Sequence, residues 1–376
     1  MMLNISGCGE SINTQTDDVA VETQIAQIEK RTDETTPNMD NADSQLSDVM
    51  MVHFIDVGQA DSIFIELANK DTMLIDAGRG SDGGKVVNYI QNLNHKDIDY
   101  VIATHPHDDH IGGMEIVLRS FDVGRMYMPK QAHTTRAFEN MLNAIEDENI
   151  ELYTAKAGIN ILTCGNIKID ILAPISEIHS NLNNCSAIVR IIYGQTVMLF
   201  TGDAEREIEN QLLNEDIDAD VLKVGHHGAG TSSSASFIQS VTPEVAVISC
   251  GAGNSYGHPH EETIVTLNQV GANVYRTDEE GTIVITADAN KKITVDKKAS
   301  SIKENAPPTM VNSETKIENE SIADTNNISG EIVYRTRIGT KFHKENCSYL
   351  KSKIEVTVSE AIAMGLEPCS RCQPDR

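Results

Sequence analysis

"THPHDDHIGG", residues 104–113, places three histidines and two aspartates within six positions of a chain that holds 12 histidines in 376 residues. The stretch follows "IDYVIA", 98–103, an apolar, β-branched run that reads as a short buried strand emptying into a loop. A strand ending in a tight loop can aim several side chains at one point beyond the edge of its sheet. Imidazoles suit Zn, Mn or Fe, and a carboxylate adds charge neutralisation. His105 and His107, two apart, can share one face, while Asp109 and His110 can serve a second ion. Gly112 and Gly113 read as permitting a sharp entry into the next helix. The bland alternative is a solvated polar loop. Three histidines directly after an apolar strand argue against it.

Working outward, "MVHFIDVGQADSIFIEL" (51–67) and "KDTMLIDAG" (70–78) alternate apolar runs with Gly, Asp and Asn, the pattern of meandering strands. "GGKVVNYIQNLN" (83–94) and "MEIVLRS" (114–120) read as helices. Strands are expected again at 160–163, 166–172, 186–193 and 196–200, then a helix within "TGDAEREIENQLL", then strands at 220–224, 245–249 and 273–275. Two strand-rich halves with intervening helices suggest two sheets packed together with helices outside. Further chemistry-bearing residues fall at strand ends: Asp203 in "MLFTGDAE", His226 and His227 in "DVLKVGHHGAG", and His258 in "NSYGHP". Asp56, Asp61 and Asp76 also stand at strand ends, and read as fixing turns or orienting histidines rather than binding metal.

"THPHDDHIGG" resembles the HxHxDH motif of the metallo-β-lactamase fold superfamily. The resemblance implies an α/β fold, an αββα four-layer sandwich with one or two metals at the sheet edge. It implies metal ligands at His105, His107, Asp109 and His110, a bridging Asp203, and a late histidine. Of the last pair we favour His226 as ligand and His227 as a phosphate or leaving-group contact. Many relatives carry one more histidine between the motif and the bridging aspartate. That place here reads "NNCS", Asn184 and Ser186, and the one nearby histidine, His179, stands ahead of it. This departure resembles one subgroup, the C-terminal hydrolase domain of ComEC-type competence proteins, whose pattern also fits "FIDVGQADS", "LIDAG", "NNCSAIVRI", "LFTGD", "LKVGHHGAGTSSS", "VISCGAGNSYGHP" and "VYRTDEEGTI" in order. In that family the domain is implicated in degrading one DNA strand during uptake. With one imidazole fewer, the first site would rest on His105, His107, Asp203 and a water or Asn184, which shifts preference toward Mn; two divalent ions, Zn or Mn, are expected. The chemistry expected is phosphodiester hydrolysis by an activated hydroxide between two ions, with Asp109 orienting it. His258 would donate to a phosphate oxygen, and Ser186 and Lys223 are weaker candidates for substrate contact. The plainer readings are a loop histidine satisfied by backbone and a strand-edge lysine.

Net charge is −26, and only residues 330–376, with 6 acidic and 8 basic residues, are net basic. The main body therefore lacks the clustered Lys and Arg of a general electrostatic grip on nucleic acid. No run of 18 apolar residues marks a membrane-spanning helix; "AIVRIIYGQTVMLF" (187–200) is broken by Arg190, Gly194 and Gln195 and reads as a hairpin.

Four segments emerge: a tail over 1–49, the hydrolase domain over 50–298, a polar linker over 299–329, and a terminal module over 330–376. In the tail, Ile5-Ser6-Gly7-Cys8 resembles the lipobox of bacterial lipoproteins. That implies lipidation of Cys8, a disordered tether behind it, and an extracytoplasmic, membrane-anchored location. The alternatives are a lone cysteine and a secreted or cytoplasmic protein. In the terminal module, His343, Cys347, Cys369 and Cys372 form HxxxC followed by CxxC, the donors of a closed structural Zn site. So small a segment buries little core, so a metal staple makes physical sense; paired disulfides are the alternative. A short helix is expected between, with Ser359 as N-cap and Gly365 near its end. The segment resembles the Ada-type metal-binding module, with His343 where the methyl-repair proteins have a cysteine, which makes repair an unexpected role. Its basic face, Arg335, Arg337, Lys341, Lys344, Lys351 and Lys353, reads as solvated or as a help in holding nucleic acid.

The leading expectation is a metal-dependent phosphodiesterase acting on DNA. A smaller envelope phosphodiester, such as a phosphorylcholine ester, is the second, and a non-catalytic, lipid-anchored Zn-binding module the third.

Overall fold

The computed structural model describes residues 49–177 and 179–300, and further on 332–335, 341–344, 347, 354–357, 367–369 and 372. The chain divides into two compact units, Met1–Lys303 and Glu304–Arg376. Cys8 and its tether, the linker from 301 onward, and the helix expected between Ser359 and Gly365 lie outside the described residues.

In the first unit, β1 (Val49–Phe54), β2 (Ile63–Glu66), β3 (Thr72–Ile75), β4 (Asp97–Ile102), β5 (Asp122–Met128) and β6 (Glu151–Thr154) lie side by side in chain order. The first three pair antiparallel and the rest parallel. A second sheet follows: β7 (Asn160–Cys164), β8 (Ile167–Ala173), β9 (Ile188–Tyr193), β10 (Thr196–Phe200), β11 (Val221–Lys223), β12 (Val245–Ile248) and β13 (Asn273–Arg276). The chain then returns to the first sheet, where β14 (Ile283–Asp288) pairs with β1 and β15 (Ile293–Val295) closes the edge.

The period-two alternation of the strands decides what each face meets. Val52 and Phe54 on β1, Ile102 on β4, Ile169 and Ile171 on β8 and Met198 and Phe200 on β10 meet in one core between the sheets. Phe54 and Phe200 stack there with centroids 6.3 Å apart. Truncating either to alanine would cost about 3–5 kcal/mol. Opposite faces carry the helices. Gly83–Asn92 and Arg136–Asp147 bury Val86, Ile90, Phe138, Met141 and Ile145 against Leu74, Val101 and Met126. Arg206–Leu212 and Ala235–Val241 bury Ile208, Leu212, Phe237 and Ile238 against Leu199, Leu222 and Ala246. The result is helix, sheet, sheet, helix.

The hairpin read in 187–200 is β9–β10, turned by Gly194 (φ 60°) and Gln195, with Tyr193 opposite Thr196. Its first strand begins at Ile188, two residues later than expected. Ser186 and Ala187 are drawn off the ladder: Ala187 donates its N–H to the Thr104 carbonyl, and Ser186 serves the site described below. The glycine pair after the histidine motif also acts differently from its reading. Gly112 and Gly113 have right-handed backbones, φ −57° and −81°. They are needed because the backbones of Gly80 and Ala77 lie against them, where a Cβ would collide. That contact presses the motif onto the end of β3.

In the second unit, β16 (Ile332–Arg335), β17 (Lys341–His343), β18 (Ile354–Thr357) and β19 (Glu367–Pro368) form a sheet in the order β18-β16-β17-β19. Val333, Phe342 and Val356 form its core cluster among the described residues.

Candidate metal centre

The site lies beyond the carboxyl ends of β4, β10, β11 and β12, where short loops can bring distant positions together. β4 ends at Ile102 and delivers His105 and His107; the one-turn helix Asp108–Ile111 delivers Asp109 and His110. β10 ends at Phe200 and delivers Asp203, and the turn after β11 delivers His226 and His227. Both of these histidines hold left-handed backbones, φ 49° and 54°. Such backbones are costly for residues with a Cβ and persist where the surroundings dictate them.

These groups converge. The Asp203 carboxylate lies 3.8 Å from His105 Nε2, 3.3 Å from His110 Nε2, 3.7 Å from His226 Nε2 and 3.6 Å from His227 Nε2. His227 Nε2 is also 3.6 Å from Asp109 Oδ2. His107 Nδ1 lies 2.9 Å from His105 Nε2. Among the described residues of the large unit, four overlapping donor groups fit a cation by distance: His105, His110 and Asp203; Asp109, His110 and His227; Asp61, Asp76 and His110; and Asp61, Asp203 and His227.

Behind the donors stands a layer that fixes them. His110 Nδ1–H donates to Asp76 at 2.7 Å, and Asp76 is held by the backbone N–H of Thr104 at 2.8 Å and its hydroxyl at 2.6 Å. His227 Nδ1–H donates to the Ser249 carbonyl at 3.0 Å and faces Asp61 at 3.3 Å. In the neutral tautomers that these contacts select, the Nε2 lone pairs of His110 and His227 face carboxylate oxygens. Without a cation, burial is outweighed and the carboxylates favour a second proton on each ring, raising His110 well above its usual value and His227 to about 10. Those two nitrogens and Asp203 Oδ1 are buried without a hydrogen-bond partner. Buried polar atoms left unpaired are costly and few in a native fold. The two nitrogens face the Asp203 carboxylate, 3.3 and 3.6 Å from its Oδ2, which is an arrangement a divalent cation satisfies. The residues therefore fit the metal that the motif implies.

The electrostatics agree. Burial pushes the His105 imidazole well below its usual range. Burial opposes charge on His110 too, but Asp203 and Asp76 overcome it and hold that ring well above its usual value. Burial raises and the surrounding imidazoles, His110 first, lower Asp203, which ends well below the carboxylate range. The cavity calls for positive charge beside its carboxylates.

The His226–His227 pair divides otherwise than the sequence suggested. His227 is 2% exposed, belongs to a donor group with Asp109 and His110, and has its other nitrogen fixed. His226 belongs to none of the donor groups; its Nδ1 lies 3.2 Å from Thr231 Oγ1 and 3.4 Å from Glu205. Geometry thus favours His227 as the donor and leaves His226 on the open side. Asn184 is likewise spent: its carbonyl accepts the Glu205 N–H at 3.1 Å and its amide donates to Glu207 at 3.1 Å. It is not free to complete the first site or to hold substrate. Ser186 accepts the Asp203 N–H at 3.1 Å and lies 3.4 Å from His105 Nδ1, so it positions donors from behind. Lys223 is neither a strand-edge lysine nor a substrate contact. It is 1% exposed, with Nζ 2.6 Å from Asp61. Burial pushes the Asp61 carboxyl up, but Lys223 and His227 outweigh it and bring it to about 2. His179 is bound to the Ser176 carbonyl at 3.0 Å and does not join the cluster. Of the three strand-end aspartates, Asp61 and Asp76 touch the imidazoles, whereas Asp56 caps the turn at Gly58.

His258 faces the open side, its ring 5.8 Å from that of His226. Gln59 donates to its Nδ1 at 3.2 Å while accepting the Gly251 N–H at 3.0 Å. That pairing leaves Nε2–H as the donor of the neutral ring. Burial and His226 lower His258 to about 4, so neutral is its ordinary state. Sequence reasoning gave no role to Gln59, Thr104 and Ser249, although each lies within a quoted stretch, because their parts are set by hydrogen bonds to distant residues. It also missed His133, whose ring stands 6.3 Å from His107. In the second unit, His343, Cys347, Cys369 and Cys372 come together as a four-donor cluster, with His343 Nδ1 3.2 Å and Cys369 Sγ 3.9 Å from Cys347 Sγ.

A buried imidazole–carboxylate cluster at the edge of a helix-flanked double sheet defines a class, the metal-binding hydrolase sandwich. This chain belongs to the metallo-beta-lactamase superfamily, whose family model matches residues 55–252. It is 34% identical over 251 residues to ComE operon protein 3 of Bacillus subtilis, covering 62% of this chain and 32% of that protein. It is 27% identical over 232 residues to the competence protein ComA of Neisseria gonorrhoeae, covering 61% and 31%. The chain thus spans under a third of the length of these relatives. The solved metallo-beta-lactamase fold protein YhfI of Bacillus subtilis aligns at 14% identity and TM-score 0.42, over 66% of this chain and 100% of that one.

Proposed function

We propose that this chain is a metal-dependent phosphodiesterase that cleaves DNA, and that it holds two divalent cations, Zn or Mn, through His105, His107, Asp109, His110, Asp203 and His227. The observation that carries this reading is the pair of buried, unpartnered ring nitrogens on His110 and His227 that face the Asp203 carboxylate at the sheet edge. Its relation to a competence protein supports DNA as the substrate. When bound, such cations supply Lewis-acid polarisation of a phosphoryl group and acidify water near neutral pH.

The chain's own groups do the rest. Asp76 and the Ser249 carbonyl hold the His110 and His227 rings in the tautomer that leaves Nε2 free. Ser186 fixes the backbone of Asp203. On this reading Asp109, only a quarter exposed at its side chain and 3.6 Å from His227, orients the attacking water. His258 donates from Nε2–H to a phosphoryl or leaving oxygen. On this reading the terminal cluster holds a structural Zn, and a lipid on Cys8 anchors the chain outside the cytoplasm.

The test is the purified chain loaded with Mn or Zn and offered single-stranded DNA, duplex DNA and p-nitrophenyl phosphorylcholine, with Asp109→Asn as control. DNA cleavage that disappears in the variant is the expected result. Turnover of the small ester alone, or of nothing, would overturn it. Mass spectrometry of the native N-terminus should find a diacylglyceryl group on Cys8; a free Met1 would refute the anchor.

A further inference from the structure

Three rings form a row leading from solvent to the donor cluster. His258 lies beside His227 with centroids 6.5 Å apart and planes 24° apart, and Tyr256 lies on His258 at 5.5 Å and 27°. Tyr256 ends the row and is 60% exposed, in a chain with no tryptophan. Its loop is stapled rather than packed. The Asn254 carbonyl accepts the N–H of Tyr256 at 3.2 Å and of His258 at 3.0 Å, while its amide donates to the carbonyls of Gly251 and His258. His260 accepts the Gly230 N–H on Nδ1 at 2.9 Å, so its neutral ring donates from Nε2 to the Tyr256 carbonyl, 3.2 Å away. Six hydrogen bonds therefore hold in place an aromatic ring that the fold itself does not cover.

A second observation concerns charge. The large unit lacks the clustered Lys and Arg by which a polyanion is gathered electrostatically. At this site, affinity for a nucleic acid strand then rests on the metal centre and on contacts that ignore charge. Aromatic stacking is such a contact, because every base presents a π-face whatever its sequence.

We propose that Tyr256 is a stacking platform for an unpaired nucleobase next to the scissile phosphate, with His258 beneath it. This rests on the phosphodiesterase reading and adds a base-binding subsite to it. It implies a single-stranded or frayed substrate and little sequence preference.

The test compares a fluorescein-labelled oligothymidylate with an abasic strand of the same length and phosphate count, on the full chain loaded with Mn. KM is measured for cleavage of each strand, and metal content is measured alongside. Tyr256→Ala should raise KM for oligothymidylate about tenfold, a typical value for losing one stacked base. It should leave KM for the abasic strand and the metal content unchanged, and Tyr256→Phe should restore the base-bearing strand. An equal loss on both strands, no loss on oligothymidylate, or a loss confined to p-nitrophenyl phosphorylcholine would overturn the platform. If the unsubstituted chain cleaves neither strand, the nuclease reading itself fails, and that outcome is visible before any variant is made.

Discussion

The two metal-type clusters of this chain are built on opposite plans. The terminal cluster draws three thiols and one imidazole together, and Cys369 is 3% exposed. Four donors saturate a tetrahedral ion, so nothing remains for a substrate. The cluster in the large unit offers imidazoles and carboxylates, with two nitrogens and one oxygen left unpartnered. Its floor is buried, while Asp109, His226 and His258 line an open side. A closed set of soft donors holds a small fold together; an open set of mixed donors on a large, independently packed sandwich is free to do chemistry. Among the described residues, the large unit has three extensive apolar clusters to stabilise it and the terminal one has a cluster of three residues.

The sharpest way to break this contrast is to remove one centre and watch the other. Asp203→Asn should abolish hydrolysis and the large unit's metal while leaving the thiolate-held Zn. Activity should fall by at least about a thousandfold, the scale of losing a group that organises transition-state charge. Cys369→Ser should do the reverse: the Zn of the terminal unit is lost and its near-ultraviolet signal collapses, while turnover of a small phosphodiester by the large unit persists. Zinc binding of this kind is itself folding free energy, on the order of 10 kcal/mol in small domains.

Within the large unit the effects should be graded. Lys223→Met strands the buried Asp61 carboxylate, which is 1% exposed as a residue, and should destabilise the unit by about 3–5 kcal/mol in denaturant titrations. An unchanged midpoint would mean that the ion pair has no structural part. Asp76→Asn removes the charge and one of the two acceptor oxygens that serve Thr104 and orient His110, so metal affinity should weaken about 10- to 100-fold in chelator competition with the fold intact. His226→Ala should change metal affinity least, because its Nδ1 faces Thr231 and Glu205 and it belongs to none of the donor groups, whereas His227→Ala should match the loss of a ligand. If the two alanine variants exchange these phenotypes, the assignment of the pair is wrong.

That pair also marks where sequence reading stops. The histidine motif, the strand-end aspartate and the thiol spacing were legible because each depends on composition and short spacing. The layers were legible because strands alternate with period two and helices do not. Adjacent His226 and His227 carry the same chemistry and the same left-handed backbone, and only their tertiary partners, Thr231 and Glu205 against Ser249 and Asp61, tell them apart. Asn184 stands where relatives carry a ligand, but its amide had already been claimed by Glu205 and Glu207, residues over 20 positions away. Lys223 reads as a strand-edge lysine until β12 and the aspartate facing it are in place. Each failure concerns which partner a polar group finds, and tertiary contact fixes that.

Metal content measured per chain, for the unsubstituted protein and for Asp203→Asn after identical loading and dialysis, tests the central claim most directly. The account predicts that the substitution removes the large unit's ions and keeps the single thiolate-held Zn. Equal metal content in the two proteins would contradict it.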